Sequence, residues 1–276
     1  AIGGRLPRWP ECHFPKWKEK KEKEKINKKI LENIKKTIER YKDNKNINLP
    51  TIKYRPYQLH GISWMLNLRD LGLHGLLCDD MGLGKTIQAL TVISARTNET
   101  GAVIKNGASK NVSICPSLVI CPSSVLMHWK DEINRYFAKK LIAVIFPSSS
   151  HPYLSGKFSK QIEEEKTNPR AVFLISYGVF RSRYRYINNV ISRWYYVVLD
   201  EGHIIRNIKS KSYEAIKSLQ AQHRLVLSGT PIQNSVMELF TLFEFLMPDF
   251  LGKIEDYRKK FVKPIESLES FLALDS

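Results

Sequence analysis

Asp79-Asp80-Met81-Gly82-Leu83-Gly84-Lys85-Thr86, directly after the apolar run Gly75-Leu76-Leu77-Cys78, is the stretch on which the fold turns. An apolar strand runs into a turn with two glycines, and Lys-Thr then opens a helical pattern. Glycines let backbone N–H groups curl around phosphate oxygens, and the following helix aims the positive end of its dipole at them. Lys85 is placed to reach β- and γ-phosphates, and the Thr86 hydroxyl to ligate Mg²⁺. Asp79, Asp80, Met81, Gly82, Leu83, Gly84, Lys85 and Thr86 thus form a candidate phosphate loop for ATP. One position departs from GxxxxGK[ST]: Asp79 stands where the first glycine belongs.

Working outward, residues from about 54 alternate apolar strands with helical patterns. Expected strands are Gly75–Asp79, Leu118–Cys121, Ile142–Phe146, Val172–Ser176, Tyr196–Asp200 and Arg224–Ser228. Expected helices are Pro56–Leu71, Lys85–Ala95, Ser124–Phe137, Ser212–Leu219 and Ser235–Leu246. Continuous apolar strands alternating with helices predict an α/β fold with a mainly parallel sheet covered on both faces. Ligands of such sheets sit beyond the strand carboxyl ends, where Asp79 and Asp200 fall. Residues 97–116 and 147–170 are polar and read as loops.

Val197-Val198-Leu199-Asp200-Glu201-Gly202-His203 is a second strand end, and it delivers two adjacent carboxylates. Phosphoryl transfer to water needs a metal against the phosphates and a group that orients the water. Asp200 suits the first role and Glu201 the second. An isolated acidic strand end reads equally well as a plain turn; a phosphate loop upstream in the same α/β pattern favours the catalytic reading. Leu225-Val226-Leu227-Ser228-Gly229-Thr230-Pro231-Ile232-Gln233-Asn234 is a third strand end. Ser228 and Thr230 are placed to hydrogen-bond the carboxylates or His203; on its own the segment is an ordinary strand-to-helix turn.

Composition narrows the class. The chain has 276 residues, 43% of them hydrophobic and 26% charged, which suffices for one large α/β domain with an appendage. No stretch approaches the roughly 18 apolar residues of a membrane span. Cys12, Cys78, Cys115 and Cys121 are widely spaced with no CxxC pair, so neither a zinc site nor a disulfide framework is expected. Cys78 and Cys121 lie in apolar runs where buried free thiols are common. The chain reads as intracellular and reduced.

Net charge is +17, an excess that points to a polyanionic partner, with nucleic acid the first candidate. Residues 1–50 form a basic extension. Within it Ile26, Ile30, Ile34, Ile38 and Tyr41 recur at helical spacing over about 18–42 and predict one amphipathic helix. Its Lys/Glu surface is either simply solvated or set against phosphates.

Taken together, Tyr54-Arg55-Pro56-Tyr57-Gln58, DDMGLGKT, LVICPSSVLMHW, ISY, LDEGH and LSGTPIQN occur in an order that resembles the first RecA-like lobe of SWI/SNF-type ATPases. These are helicase-superfamily-two P-loop motors that translocate on double-stranded DNA. The resemblance covers roughly residues 54–262. It accounts for Asp79, because this family commonly carries an acidic residue there. It implies that Gln58 recognises adenine, that Lys85, Thr86, Asp200 and Glu201 act as argued above, and that His203, Ser228, Thr230 and Gln233 couple nucleotide state to the rest of the motor. It also implies that Pro122-Ser123 and Ser176-Tyr177 lie on the DNA-backbone face; loop packing is the plainer reading of those two.

Gly202 departs from the commoner DEAH. With residues 73–80 and 245–252, the DEGH pattern is most similar to the modifier-of-transcription branch, whose members remove TATA-binding protein from promoter DNA. A Cockayne-syndrome-B-like repair branch, a nucleosome remodeller, a DEAH-type RNA helicase and a non-catalytic DNA-binding module remain alternatives. The resemblance further implies a nuclear protein, and a second RecA-like lobe of the same polypeptide that supplies arginine fingers. The expected organisation is an extension at 1–50, an ATP-binding lobe at 51–262 and the start of a connection at 263–276. The lobe alone is expected to bind ATP weakly and turn it over little.

Overall fold

Six short apolar segments pair side by side in a computed structural model that describes residues 52–95, 115–147, 156–230 and 235–265. The strands are β1 (Gly75–Leu77), β2 (Ser117–Cys121), β3 (Ile142–Ile145), β4 (Ala171–Ser176), β5 (Trp194–Asp200) and β6 (Ala221–Leu227). Their order across the sheet is β1-β6-β5-β2-β4-β3, and every pairing is parallel. Interleaved with them are helices α1 (Pro56–Asp70), α2 (Lys85–Ser94), α3 (Leu126–Glu132), α4 (Gly156–Glu165), α5 (Tyr177–Val190), α6 (Lys211–Lys217), α7 (Val236–Leu246) and α8 (Ile254–Tyr257).

The strands are mostly apolar because both faces are covered; β6 is the exception, entering through half-buried Gln222, His223 and Arg224 before buried Leu225, Val226 and Leu227. Side chains alternate across a strand, so β2 sends Leu118 and Ile120 to one core and Val119 and Cys121 to the other. In the same way β4 divides Phe173 and Ile175 from Val172 and Leu174. The first core is closed by Ile162 of α4, Phe180 and Ile187 of α5, Ile216 of α6 and Phe245 of α7. The second is closed by Ile62 and Leu66 of α1, Leu90 and Ile93 of α2, Trp129 of α3, and Ile133 and Phe137. Each such side chain removed from water contributes about 1.5–3 kcal/mol, and a one-residue slip in register would exchange the two sets.

All six expected strands are present, and so are the five expected helices. The stretch 124–137 is not one regular helix: a 3₁₀ turn (Ser123–Val125) leads into α3, and a π turn (Ile133–Phe137) follows it. Two regions differ from expectation. Residues 147–170 contain α4, whose Phe158 sits edge-on to Phe146 at 5.6 Å and whose Ile162 is buried. Two apolar residues one turn apart suffice to dock an otherwise charged helix. Helix α5, which the Arg- and Tyr-rich run 181–186 obscured, buries Tyr177, Phe180 and Ile187 on one stripe. Cys78 lies just past the end of β1 and is exposed, contrary to the buried thiol expected there; Cys115 and Cys121 are buried. The expected helix at about 18–42, and the loop 97–116 apart from its last two residues, fall outside the described residues.

Because the strands are parallel, their carboxyl ends share one edge. That edge collects Asp79 after β1, Ser228 after β6, Asp200 at the end of β5, Pro122 after β2 and Ser176 at the end of β4. No helix among the described residues is long and apolar enough to cross a membrane.

Candidate functional site

Gly82 and Gly84 have φ of +81° and +76°. Both lie in the left-handed region that side chains disfavour. Gly84 is also the residue before the first turn of α2, and a Cβ on it would stand 2.6 Å from Gln58 Nε2. Asp79 is different. It does not have a positive φ, and its Oδ2 accepts a 2.9 Å hydrogen bond from Gln88 Nε2 on α2. A glycine is unnecessary at a position with ordinary backbone, which explains how an acid occupies the first slot of the loop.

Lys85 is buried and donates from Nζ to the carbonyl oxygens of Asp79 (2.7 Å) and Asp80 (3.0 Å). Its ammonium is thereby held inside the loop, where phosphate oxygens would replace those carbonyls. The segment before α1 braces the loop from the other side. Gln58 Nε2 and the Tyr57 hydroxyl both donate to the Leu83 carbonyl, at 3.2 and 3.3 Å, while Gln58 Oε1 accepts from the Arg55 N–H at 3.0 Å. The Tyr54 hydroxyl lies 2.8 Å from Thr91 Oγ1 on α2. Met81 is 80% exposed at the loop tip.

Across β6 from the loop stands the acidic pair. Asp200 is buried, and each of its carboxylate oxygens has a donor: Trp129 Nε1 to Oδ2 at 2.8 Å, and the Glu201 N–H to Oδ1 at 3.0 Å. Burial raises its pKa; the Trp129 hydrogen bond opposes that rise, and the neighbouring Glu201 charge adds to it. Glu201 has φ +51°, a left-handed conformation that costs a non-glycine residue about 1–3 kcal/mol. The turn swings its carboxylate out of the strand to lie 3.2 Å from His203 Nδ1.

Ser228 is wholly buried just past β6, the strand between the two strand ends. Its N–H donates to the Leu77 carbonyl at 3.1 Å, and its hydroxyl accepts from the Thr230 N–H at 3.2 Å. The hydroxyl bond is therefore local, within its own turn. Gln233 lies outside the described residues.

The segments assigned to a DNA face fare unequally. Pro122 is half-buried and Ser123 exposed. Ser176 caps α5, its hydroxyl accepting from the Val179 N–H at 3.3 Å. Tyr177, in contrast, is buried, and its hydroxyl donates to the Asp200 carbonyl at 2.8 Å. Its side chain points into the protein, behind the acidic strand, rather than out to a ligand.

Sequence reasoning missed Gln88, Trp129 and the inward role of Tyr177. Gln88 lies one helical turn past Gly84, a spacing that could have suggested it. The Trp129–Asp200 pairing spans 71 residues and leaves no local signal.

The parts fit a Mg²⁺–nucleoside triphosphate. Two left-handed glycines, a buried ammonium and the helix start that carries Thr86 stand on the same sheet edge as the Asp200 carboxylate. Mg²⁺ is usually held by one or two protein oxygens with phosphates and waters completing the shell.

An SNF2-related domain is matched over residues 57–273. The chain is 41% identical over 214 residues to TATA-binding protein-associated factor BTAF1 of Arabidopsis thaliana, covering 78% of this chain and 10% of that protein. It is 32% identical over 216 residues to chromatin-remodeling ATPase INO80 of Saccharomyces cerevisiae, covering 77% of this chain and 14% of that one. The chain thus spans about a tenth of the length of such relatives. Among solved structures, the Sulfolobus solfataricus SWI2/SNF2 ATPase core in complex with dsDNA matches with a TM-score of 0.64 and 34% identity, over 79% of this chain and 41% of that one. The parallel six-stranded sheet is thus that of a RecA-like lobe, and the chain belongs to the SNF2-related domain family.

Proposed function

We propose that this chain is the ATP-binding lobe of a motor that moves on double-stranded DNA and uses ATP hydrolysis to dislodge a DNA-bound protein, with TATA-binding protein the foremost cargo. The observation that carries the proposal is the placement of the Lys85 loop and the Asp200–Glu201 pair on one sheet edge, separated only by the Ser228 strand end. In this reading the loop N–H groups and Lys85 bind the β- and γ-phosphates. Thr86 and Asp200 hold Mg²⁺, which neutralises phosphate charge when bound. Glu201, turned out of its strand, orients the attacking water and accepts its proton, with His203 beside that carboxylate. Gln58 reads adenine from its place beside Leu83. His203, Ser228, Thr230 and Gln233 relay the state of the site.

The lobe would span residues 51–262, with 1–50 a basic extension and 263–276 leading toward a second RecA-like lobe. Arginine fingers from that second lobe can be worth several orders of magnitude in rate, so the isolated lobe would turn over little ATP. The TATA-binding-protein assignment is supported by the named role of the BTAF1 relative, and nuclear residence follows from it. The INO80 relative supports a second reading, nucleosome remodelling by the same engine. Pro122, Ser123 and Ser176 are the proposed contacts to DNA phosphates, and the net charge favours them. Such contacts carry little sequence preference, and affinity should fall steeply with salt.

The deciding experiment adds ATP to full-length protein on duplex DNA loaded with TATA-binding protein. ATP-dependent release, lost in Lys85→Ala and with a non-hydrolysable analogue, supports both engine and cargo. DNA-stimulated hydrolysis without release keeps the engine and transfers the cargo to nucleosomes or repair complexes.

A further inference from the structure

Two buried aromatic side chains reach the same aspartate from two different surface segments. Trp129 is wholly buried in α3, and its one polar atom donates to Asp200 Oδ2 at 2.8 Å. Tyr177 opens α5, and its hydroxyl donates to the Asp200 backbone carbonyl at 2.8 Å. One bond therefore fixes the carboxylate and the other fixes the strand end that bears it.

Each aromatic follows closely on a strand end at the shared edge. Cys121 ends β2, and the exposed Ser123 and Ser124 lead through the 3₁₀ turn into the helix that carries Trp129. Ser176 ends β4, and Tyr177 is the next residue. The two strands are neighbours, with Cys121 registered against Ser176, and β2 also pairs with β5. Ser123 and Ser176 thus belong to segments that leave neighbouring strand ends, and the aromatics behind them converge on one aspartate.

We infer that Trp129 and Tyr177 are positioning residues that link the surface formed by Ser123 and Ser176 to the aim of the Asp200 carboxylate. A ligand that shifts either surface segment must move an aromatic ring seated in a close-packed core. Such interiors respond by discrete displacement rather than by smooth give. The ring cannot move without stretching a hydrogen bond to Asp200 or carrying Asp200 with it. A surface contact is thereby converted into a change at the atom proposed to hold Mg²⁺. This inference rests on the DNA reading above for the identity of the surface ligand.

The test uses Trp129→Phe and Tyr177→Phe in the full-length protein. Each removes one donor and keeps an aromatic ring. Tyr177→Phe is nearly isosteric and keeps the question answerable if Trp129→Phe folds poorly. Binding of a fluorescent non-hydrolysable ATP analogue is titrated at several Mg²⁺ concentrations, with and without a duplex oligonucleotide. The ratio of affinities with and without DNA measures the coupling between the two sites. In the native protein the ratio should exceed one. In both variants it should fall toward one, by about three- to tenfold in Tyr177→Phe for loss of a bond to a carbonyl, and by about tenfold or more in Trp129→Phe for loss of one to a carboxylate. DNA affinity in the absence of nucleotide, and analogue affinity in the absence of Mg²⁺, should stay native. Trp129→Phe should also raise the Mg²⁺ concentration needed for half-maximal analogue binding. Native coupling in both variants overturns the inference and leaves the motor reading intact. A native protein whose ratio is already one also overturns the inference, while DNA-stimulated hydrolysis decides the motor reading separately.

Discussion

Gly202 lies so close beneath Val226 that a Cβ added to it would fall far inside van der Waals contact with Val226 Cγ1. Gly202 opens the 3₁₀ turn just past β5, and Val226 lies near the end of the neighbouring parallel strand β6, so the glycine of the DEGH stretch is a packing requirement of this particular β6. Val226 is a β-branched residue in the core with no flexible end to swing away. Gly202→Ala should therefore destabilise the protein by about 1–3 kcal/mol, as overpacking does. A compensating Val226→Ala should recover part of the loss. Chemical denaturation of both single variants and the double variant checks this, and simple additivity would remove the proposed contact.

Asp200 gives a second prediction, through pH. Burial, the leading cause, raises its pKa in the folded protein above the ordinary 3.8. A carboxyl raised on folding binds more protons in the native state. Its contribution is then fully present below 3.8 and is lost as pH rises through the folded value. Asp200→Asn does not titrate. The melting temperature of Asp200→Asn minus that of the native protein should therefore grow more positive between pH 4 and 7. Thermal melts across that range check the sign, and a flat or falling difference would refute it.

Lys85→Ala should weaken ATP binding by about 10- to 100-fold, the range for losing a hydrogen-bonded charge on phosphate. The ammonium already bonds two carbonyls of its own loop, so some stability should be lost as well. Calorimetric titration with Mg·ATP and Mg·ADP reads the first effect, and a thermal melt without nucleotide reads the second. A variant that binds both nucleotides as tightly as the native protein would remove Lys85 from the site.

The described cysteines should label unequally. Cys78 is exposed beside the loop, while Cys115 and Cys121 are buried and the Cys121 thiol is pushed up to about 12. Burial and the Asp79 charge also raise the Cys78 thiol, so its alkylation at neutral pH should be slower than that of a free cysteine and should keep accelerating above pH 9. Bound nucleotide should slow it further. Peptide mapping after timed iodoacetamide treatment reads all three, and prompt labelling of Cys121 in folded protein would contradict the packing.

The sequence was informative where the physics is local. Apolar runs marked all six strands, because a parallel sheet covered on both faces leaves little polar side to interrupt the pattern; the first residues of β6, among them Gln222 and His223, are polar and lay outside the run. The phosphate loop was legible because two glycines and Lys85 carry their reasons with them. The Asp79 anomaly found its physical explanation only when Gln88 came into hydrogen-bond range through the helix. The inward turn of Tyr177 was hidden, since nothing in Ile175-Ser176-Tyr177 says which side the ring takes. Trp129 was hidden for a different cause: its partner is distant in sequence, and a lone indole N–H has no spacing rule. Helix α4 escaped because Phe158 and Ile162 are a thin apolar stripe in a charged segment.

The position of β1 bears on how the protein comes into being. Among the described strands its sheet partner is β6, and the contact between His74 and Arg224 beside that pairing closes 150 residues of chain. Contacts so far apart in sequence form late, because the entropy of closing the loop must be met before they return anything. During synthesis from the amino terminus, the phosphate loop is made early but has no strand to lean on until residue 227 has left the ribosome. A stalled or truncated chain ending before β6 would carry every residue of the loop and still lack a seat for ATP, which leaves the pocket itself as a marker of completed folding.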